Sequence, residues 1–546
     1  MQADSRKIIS ENIVADRSKL KIICVFLHRI YFGRIPYERQ YRGKKRKAMN
    51  ITELQQSYAS HPNVEGVCRL LKDNSVRHLY CGGLYASAAS LFSSVLVQRA
   101  TCPLVFILGD MEEAGYFYHD LTQILGTEQV LFFPSSFRRA IKYGQKDAAN
   151  EILRTEVLSR LQKGEEGLCV VTYPDALAEK VVSRKELGEN TLKLHAGERV
   201  DMNFVTDVLR SYGFEYVDYV YEPGQYAVRG SIIDVFSFSS EYPFRIDFFG
   251  DEVESVRTFE VETQLSKEKK ESIVIVPDLS HSLEKKGSGG MVSFLDFLPS
   301  DSLLAMRDFL WLRERIQTVH DESLTPQAIA ARESEENGAI TLEGKLIDGG
   351  EFTLRALDFR RMEFGNKPTG TPDATVSFHT TVQPIFHKNF DMVAESFREY
   401  LSRHYTIYIC SDSLKQTDRI RAIFEDRGDN ISFTAVERTL HEGFADDTLR
   451  ICIFTDHQLF DRFHKYNLKS DKARSGKVAL SLKELNQFTP GDYVVHTDHG
   501  VGRFAGLVRI PNGDTTQEVM KIVYQNEDVV FVSIHSLHKV SKYKGK

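Results

Sequence analysis

Two stretches of the chain contain residue types that bind nucleotide phosphates and their metal ion. Gly82-Gly83 lies between a strand-like run and a helix-like run, where P-loop enzymes carry their phosphate-binding loop. That loop has the pattern GxxxxGK followed by Ser or Thr, in which backbone N–H groups surround the phosphates and the lysine reaches them. The sequence here is GGLYASAASLF, without the lysine. It predicts a degenerate nucleotide site, with an unorthodox active site as the alternative.

The second stretch is Asp251-Glu252-Val253-Glu254, which has the carboxylates of a DExx magnesium-binding box. Such a box acts on a nucleotide that a phosphate-binding loop holds, and Gly82-Gly83 does not form one of the required pattern. We therefore interpret these four residues as a hairpin turn with a solvated acidic face.

Candidate metal ligands are scattered. The seven cysteines contain no CxxC pair, which argues against a zinc site or a disulfide framework and favours a reducing cytoplasm. His441, His457 and His464 have no ligand spacing typical of a metal site, so we expect surface histidines. We predict no metal and no catalytic residue in this chain.

Length and charge limit the functional classes. The 546 residues predict several domains at roughly 100–200 residues each, and no apolar run approaches the ~20 residues of a membrane span. Residues 1–48 hold 13 Lys and Arg against 4 Asp and Glu, so the remainder has a net charge of −15. Such an acidic body is a poor non-specific DNA binder. We predict a disordered basic extension over 1–48 and a natural start at Met49, where a helix-like run opens.

Short apolar strands alternate with helix-like runs after residue 75. This alternation indicates an α/β domain with a parallel sheet covered on both faces. The predicted strands are Val76–Tyr80, Leu104–Leu108, Val130–Phe133 and Leu168–Thr172.

A different pattern follows in the stretch YEPGQYAVRGSIIDVFSFSSEYPFRIDFFGD at residues 221–251. It predicts an antiparallel meander with strands at Tyr226–Arg229, Ile232–Phe238 and Phe244–Phe249. Glycine, proline and serine separate these runs.

This stretch resembles the domain with which UvrB and the transcription-repair coupling factors (the Mfd family) dock on UvrA. The positions that match the family pattern are Gly224, Tyr226, Arg229, Gly230, Asp234 and Phe236. The resemblance implies a UvrA-binding site with Arg229, Phe236 and Tyr226, in which the guanidinium of Arg229 pairs with a carboxylate. Phe236 is either an anchor or a core residue. Glu215 and Tyr216 stand where relatives often carry another arginine, so the resemblance does not imply a second basic contact there.

The C-terminal stretch has the third distinctive pattern. His499-Gly500-Val501-Gly502 places two glycines between short strand-like runs, and the loop 525–528 separates two further runs. Several short strands in about sixty residues predict a small SH3-like β-barrel. The strings HGVGRFAG and VYQNEDVVFVSIHSLHKVSKY resemble the RNA-polymerase-interacting module of transcription-repair coupling factors and CarD-type regulators.

That resemblance implies contact with the polymerase β subunit through the strand Ala505–Ile510, which would add to a strand of the partner. The implied contact residues are Ile510, Arg509, Val508 and Leu507. The alternative for Ile510 is packing inside the barrel.

The resemblance as a whole is to the N-terminal half of a transcription-repair coupling factor. The predicted fold class is multidomain α/β, and the predicted parts are a helicase-like (UvrB-like) α/β domain at 49–175 and 269–365, an inserted docking domain at 176–268, a linker at 366–374, a small α/β domain at 375–464, a linker at 465–484 and the barrel at 485–546.

The family function implied is recruitment of UvrA to a stalled RNA polymerase in the cytoplasm. ATP, magnesium and most contact with double-stranded DNA belong to a motor that the family carries and this chain does not contain. We therefore expect no enzymatic activity from this chain, no cofactor and no membrane partner. The alternatives are a UvrB-type repair subunit with a working ATPase and a CarD-like transcription regulator.

Overall fold

The computed structural model describes residues 48–136, 148–261, 263–279, 290–323, 344–464, 466, 468, 489–496, 499–512, 515–525, 528–533 and 540–543. Residues 1–47 of the predicted extension and nearly all of the linker predicted at 465–484 lie outside these ranges. None of the described helices is long and apolar enough to cross a membrane.

The strands in these ranges belong to six sheets, four of them larger than a pair. They are β1 (Met49–Asn50), β2 (His78–Gly82), β3 (Leu104–Ile107), β4 (Val130–Phe133), β5 (Cys169–Thr172), β6 (Val181–Val182), β7 (Leu192–His195), β8 (Glu215–Tyr216), β9 (Gln225–Arg229), β10 (Ile232–Val235), β11 (Phe244–Phe249), β12 (Glu252–Phe259), β13 (Ser266–Lys270), β14 (Ser272–Ile275), β15 (Met291–Val292), β16 (Leu303–Met306), β17 (Arg360–Glu363), β18 (Ala374–Ser377), β19 (Thr380–Val382), β20 (Thr406–Ser411), β21 (Thr434–Glu437), β22 (Phe444–Asp446), β23 (Ile451–Thr455), β24 (Tyr493–His496), β25 (Gly500–Asn512), β26 (Thr515–Val523), β27 (Val529–Ser533) and β28 (Val540–Lys542).

The helices lie between these strands, and most of them cover the two α/β sheets. They are α1 (Ile51–Ala59), α2 (Pro62–Leu70), α3 (Ala88–Arg99), α4 (Met111–Leu125), α5 (Ala148–Gln162), α6 (Pro174–Ala178), α7 (Arg184–Glu189), α8 (Met202–Ser211), α9 (Phe294–Phe297), α10 (Phe309–Ser323), α11 (Gly349–Ala356), α12 (Phe390–Ser402), α13 (Leu414–Asp426) and α14 (Asp456–Leu459).

The first α/β domain is built on a seven-stranded, all-parallel sheet with the order β18-β2-β17-β16-β3-β5-β4. Strands β3, β4 and β5 are buried along their whole length, because helices cover both faces of the sheet. Helix α4 begins where the carboxylate of Asp110 accepts hydrogen bonds from two backbone N–H groups of its first turn. The mixed α/β class predicted from the sequence is confirmed.

The second α/β domain has the sheet order β1-β21-β20-β23-β22-β19, with its own core around α12 and α13. Two short strands cross the boundaries that the sequence suggested. The predicted boundary at residue 375 falls inside β18, which pairs with β2 of the first sheet, and Met49–Asn50 pairs with Val436 and Glu437 of the second sheet. Local sequence does not indicate either pairing, because each joins residues that lie roughly 300 to 400 positions apart in the chain.

Between β5 and β16 the chain forms a six-stranded sheet of order β13-β12-β11-β10-β9-β8, antiparallel except for the β8–β9 pair. Its predicted central strands are present as β9, β10 and β11. Alternate residues of its strands bury one face against helix α8 and the antiparallel β7–β14 pair, forming an apolar core.

The C-terminal strands form a five-stranded antiparallel sheet of order β27-β26-β25-β24-β28. Its core side chains include Val494, Phe504, Met520 and Ile522. Among the described residues the edge strands β27 and β28 do not pair with each other. A closed SH3-like barrel is therefore not confirmed and stays a prediction.

Candidate protein-docking sites

One face of the six-stranded sheet carries a row of charged side chains. Arg245 on β11 stands opposite Asp234 on β10 and opposite Arg257 on β12. Arg257 in turn stands opposite Lys269 on β13. Directly opposed residues of an antiparallel ladder point to the same face, so these four side chains lie side by side across the sheet. We call this surface, with Arg229 and Lys267, the basic face.

Asp234 is at the centre of the basic face and holds two arginines. Its buried carboxylate accepts hydrogen bonds from Nε and Nη2 of Arg245, at 2.8 and 2.9 Å, and it forms an ion pair with Arg229. The hydrogen bond to Asp234 raises the pKa of Arg245. Arg229 also lies over the ring of Tyr219, with its guanidinium carbon 4.9 Å from the ring centre. One carboxylate thus pairs with two guanidinium groups, so this cluster has a net positive charge.

Gly230 explains why Arg229 can reach Asp234. The β9–β10 hairpin turns through Gly230-Ser231, and Gly230 has φ +62, a conformation that favours glycine. This tight turn places Arg229 diagonally across from Asp234, within reach of a long side chain. The side chain of Arg229 is still 34% exposed, so a partner can contact it.

The outer strands of the sheet extend the basic face. Arg257 forms an ion pair with Asp247, whose carboxylate also accepts a hydrogen bond from Ser255 at 2.9 Å. Lys267 donates to the hydroxyl of Tyr242 at 2.8 Å and lies over its ring. Five cations therefore share this face with two carboxylates, which suits an acidic protein surface.

Tyr226 and Phe236, the other two predicted UvrA contacts, are each only 1% exposed. Tyr226 points to the opposite, apolar face of the sheet, because neighbouring positions of a strand alternate, and its hydroxyl accepts from Nε of Arg210 at 3.1 Å. Phe236 packs with Val220 and Phe259. Both rings serve the core in this structure, so Arg229 alone of the three is open to a partner.

Sequence reasoning missed Arg245, Arg257 and Lys269. The signal was present in β11, where Arg245 and Asp247 alternate with the buried Phe244, Ile246 and Phe248. A period-two interpretation of β11 and β12 would have placed Arg245 and Arg257 on the face opposite the apolar core.

The predicted polymerase-binding residues lie in the second half of β25. The first half, Gly500–Arg503, pairs with β24, whereas the stretch 507–512 pairs with β26 alone among the described strands. The backbone edge of residues 507–512 that faces away from β26 has the geometry that β-augmentation requires. Leu507 is 37% exposed and Val508 is half-buried. The backbones of Arg509 and Ile510 pair with Glu518 and Gln517, and their side chains lie outside what the structure describes.

The degenerate nucleotide position lies at the carboxyl edge of the seven-stranded sheet. Gly83 follows β2 with φ +77, and a Cβ there would overlap the carbonyl oxygen of Phe378. A cavity of about 410 Å³ opens beside it. Its charged lining is mainly acidic and comprises Asp110, Glu112, Glu113, Asp120, Glu442 and Arg307. This charge opposes the binding of phosphate groups.

The histidines expected on the surface are instead partly or fully buried between the two α/β domains. The ring of His441 stacks on Tyr116 of α4 at a centroid distance of 3.5 Å, and His464 lies 5.1 Å from His119 of α4. Burial lowers the pKa of His119, His441 and His457 to about 4, so these imidazoles are neutral at pH 7. The surface expectation was wrong because the covering helix lies over 300 residues away in sequence. No group of three or more His, Cys, Asp or Glu in the described ranges could hold a metal ion.

Two domain models match the chain, and each contains one of the candidate sites. The UvrB interaction domain matches residues 192–281, which include the basic face. The CarD-like/TRCF RID domain matches residues 488–544, which include β24 to β28.

Similar proteins extend over most of the chain. A transcription-repair-coupling factor of Bacillus subtilis strain 168 is 22% identical over 541 residues, covering 85% of this chain and 45% of the relative. Proteins of the same name from Staphylococcus aureus strains RF122 / ET3-1 and USA300 are 23% identical and cover 84% of this chain. This chain spans about 45% of the length of these relatives. It is thus similar to the transcription-repair-coupling factors over most of its length, and it matches both a UvrB interaction domain and a CarD-like/TRCF RID domain.

Proposed function

We propose that this chain couples RNA polymerase to UvrA in transcription-coupled nucleotide excision repair. The observation that carries the proposal is the presence of a UvrB interaction domain and a CarD-like/TRCF RID domain in one chain. The basic face supports UvrA as the partner of the first, since it offers Arg229 and an excess of positive charge to an acidic surface. The open edge of β25 supports the β subunit of polymerase as the partner of the second.

The chain itself acts as a docking platform in this proposal. The loop after β2 lacks the lysine that would hold phosphates, and the adjoining cavity is acidic. ATP hydrolysis and translocation on double-stranded DNA are assigned to the remainder of a full-length family protein, with magnesium as its metal. Both partners are expected in the cytoplasm.

The test is binding of purified UvrA to the full chain, compared with the variant Arg229→Ala. Truncating a hydrogen-bonded charge at an interface typically costs about 2–5 kcal/mol, so the variant should bind at least tenfold more weakly. Arg398→Ala is a matched control, because Arg398 shares Asp429 with Arg427 just as Arg229 shares Asp234 with Arg245. This control should bind UvrA like the wild type.

Two results would contradict parts of this proposal, one the repair function and the other the site. Absence of UvrA binding by the wild type would contradict the proposed role in repair. Equal binding by wild type and Arg229→Ala would keep the function and remove Arg229 from the site.

A further inference from the structure

The carboxyl edge of the seven-stranded sheet is occupied by another part of the same chain. Ligands of parallel α/β sheets bind at this edge, just beyond the ends of the strands. Here the backbone N–H of His441 donates to Oδ1 of Asp120 at 2.7 Å, and the N–H of Glu442 donates to Oγ of Ser87 at 3.0 Å. The hydroxyl of Ser87 donates in turn to Oδ2 of Asp120 at 2.6 Å.

Ser87 and Asp120 belong to the elements that would surround a nucleotide. Ser87 immediately precedes helix α3, and Asp120 lies on α4, the helix that follows the next strand in the chain. Both side chains are buried, at 2% and 1% exposure. His441 and Glu442 lie just before β22 of the second α/β domain. The contact therefore joins the loop region of one sheet to the other domain.

The rest of the loop after β2 is held by the same neighbour. The hydroxyl of Thr380 donates to the carbonyl of Gly83 at 2.7 Å and accepts from the N–H of Tyr85 at 3.0 Å. Phe378 closes the space above Gly83. Thr380 thus accepts from the backbone N–H of Tyr85, a donor of the kind that a phosphate loop offers to a nucleotide, and also binds the carbonyl of Gly83.

We propose that the second α/β domain is a built-in occupant of the nucleotide position of the first, with the His441–Glu442 backbone bound where a helicase-like sheet binds phosphates. This contact holds the two α/β domains as one rigid unit whether or not nucleotide is present. It assigns a role to the domain predicted at 375–464, for which the sequence suggested none. The role is independent of UvrA and polymerase binding.

The test is amide hydrogen exchange of the full chain, with the variants Asp120→Asn and Ser87→Ala. The N–H groups of His441 and Glu442 should be protected in the wild type. Asparagine offers His441 a neutral amide oxygen in place of the carboxyl group, and this weaker hydrogen bond should speed the exchange of both amides about tenfold in Asp120→Asn, with a smaller effect in Ser87→Ala. Amides of β20 and β23, inside the second domain, should keep their wild-type rates. Asp110→Asn removes the same charge from the same cavity without touching the second domain, and should leave all these rates unchanged.

Addition of Mg-ATP to the wild type provides the decisive comparison. We expect no change in exchange over residues 83–90. Protection of that stretch by Mg-ATP, or exchange at His441 and Glu442 as fast as in an exposed loop, would overturn the proposal. Unchanged exchange at both amides in Asp120→Asn would also overturn it, because the carboxylate would then carry no part of the contact.

Discussion

The carboxylate of Asp234 accepts two hydrogen bonds from the guanidinium of Arg245 on the neighbouring strand, at 2.8 Å from Nε and 2.9 Å from Nη2. The same carboxylate forms the ion pair that orients Arg229. One buried anion therefore organises two cations of the basic face. Folding of the sheet and the proposed docking depend on the same charge.

Substitution of Asp234 by Asn is expected to destabilise the protein by about 2–4 kcal/mol, because two guanidinium groups lose the charge that compensates them. Urea denaturation measures this loss. Asp429→Asn is the control, since Asp429 also holds two arginines, of which Arg398 is far more exposed than Arg245. Water can solvate Arg398, so this loss should be smaller. Equal losses in the two variants would show that the burial of Arg245 adds nothing to the role of Asp234.

The turn after β2 offers a second test, in the variant Gly83→Ala. Gly83 has φ +77, and its added methyl group would overlap the carbonyl of Phe378. Gly126→Ala is the matched control, because Gly126 has φ +83 but no atom lies near its Cβ position. Gly126 has ψ 175, in a backbone region that is essentially restricted to glycine, so backbone strain alone should cost the control about 1–3 kcal/mol. The overlap should raise the cost to about 2–5 kcal/mol at Gly83, measured by urea denaturation. A cost at Gly83 no greater than at Gly126 would mean that Phe378 moves away freely.

The sequence predicted local elements well and their long-range partners poorly. Strands β9 and β11 follow from alternating apolar residues, and the parallel sheet follows from short apolar runs between helices. In contrast, the burial of His441 depends on helix α4, and the pairing of Met49 depends on β21. No local pattern encodes these contacts, because each partner lies hundreds of residues away.

The candidate docking site on the basic face also depends on contacts that local sequence does not encode. Arg229 was identified through a family resemblance, and its burial state depends on the hairpin register that places Asp234 beside it. Tyr226 matched the same family pattern, yet its position on the apolar face follows directly from strand alternation. Applying that alternation to the matched residues would have separated contact residues from core residues.

The open edge of β25 leads to a prediction for polymerase binding. Leu507→Glu places a charge on a residue of the edge segment that is 37% exposed, and should weaken binding of the polymerase β subunit at least tenfold. Val529→Glu is the control, because Val529 is 40% exposed on β27, at the far side of β26. Surface plasmon resonance with the purified β subunit measures both. Equal weakening by the two variants would favour contact through a sheet face over contact through the β25 edge.

The histidines between the two α/β domains predict acid sensitivity. Burial holds the pKa of His119, His441 and His457 at about 4, whereas unfolded histidine titrates near pH 6.5. Because each pKa is lowered in the fold, the unfolded chain binds protons first as the pH falls. The stability that these neutral imidazoles contribute is complete above pH 6.5 and is lost between pH 6.5 and 4. At pH 5 the loss should be about 1–2 kcal/mol per histidine.

Asp120 acts in the opposite direction within the same interface. Burial raises the pKa of this carboxyl group to about 7, so protonation of the folded state stabilises the protein as the pH falls from 7 towards 4. The stability lost through three histidines should exceed the stability gained through one aspartate. The urea concentration at the unfolding midpoint should therefore decrease as the pH is lowered from 7 to 5. His119→Gln, which cannot take up a proton, should reduce that fall, whereas the same change at the exposed His195 should not. An identical fall in wild type and His119→Gln would assign the acid sensitivity to groups outside this interface.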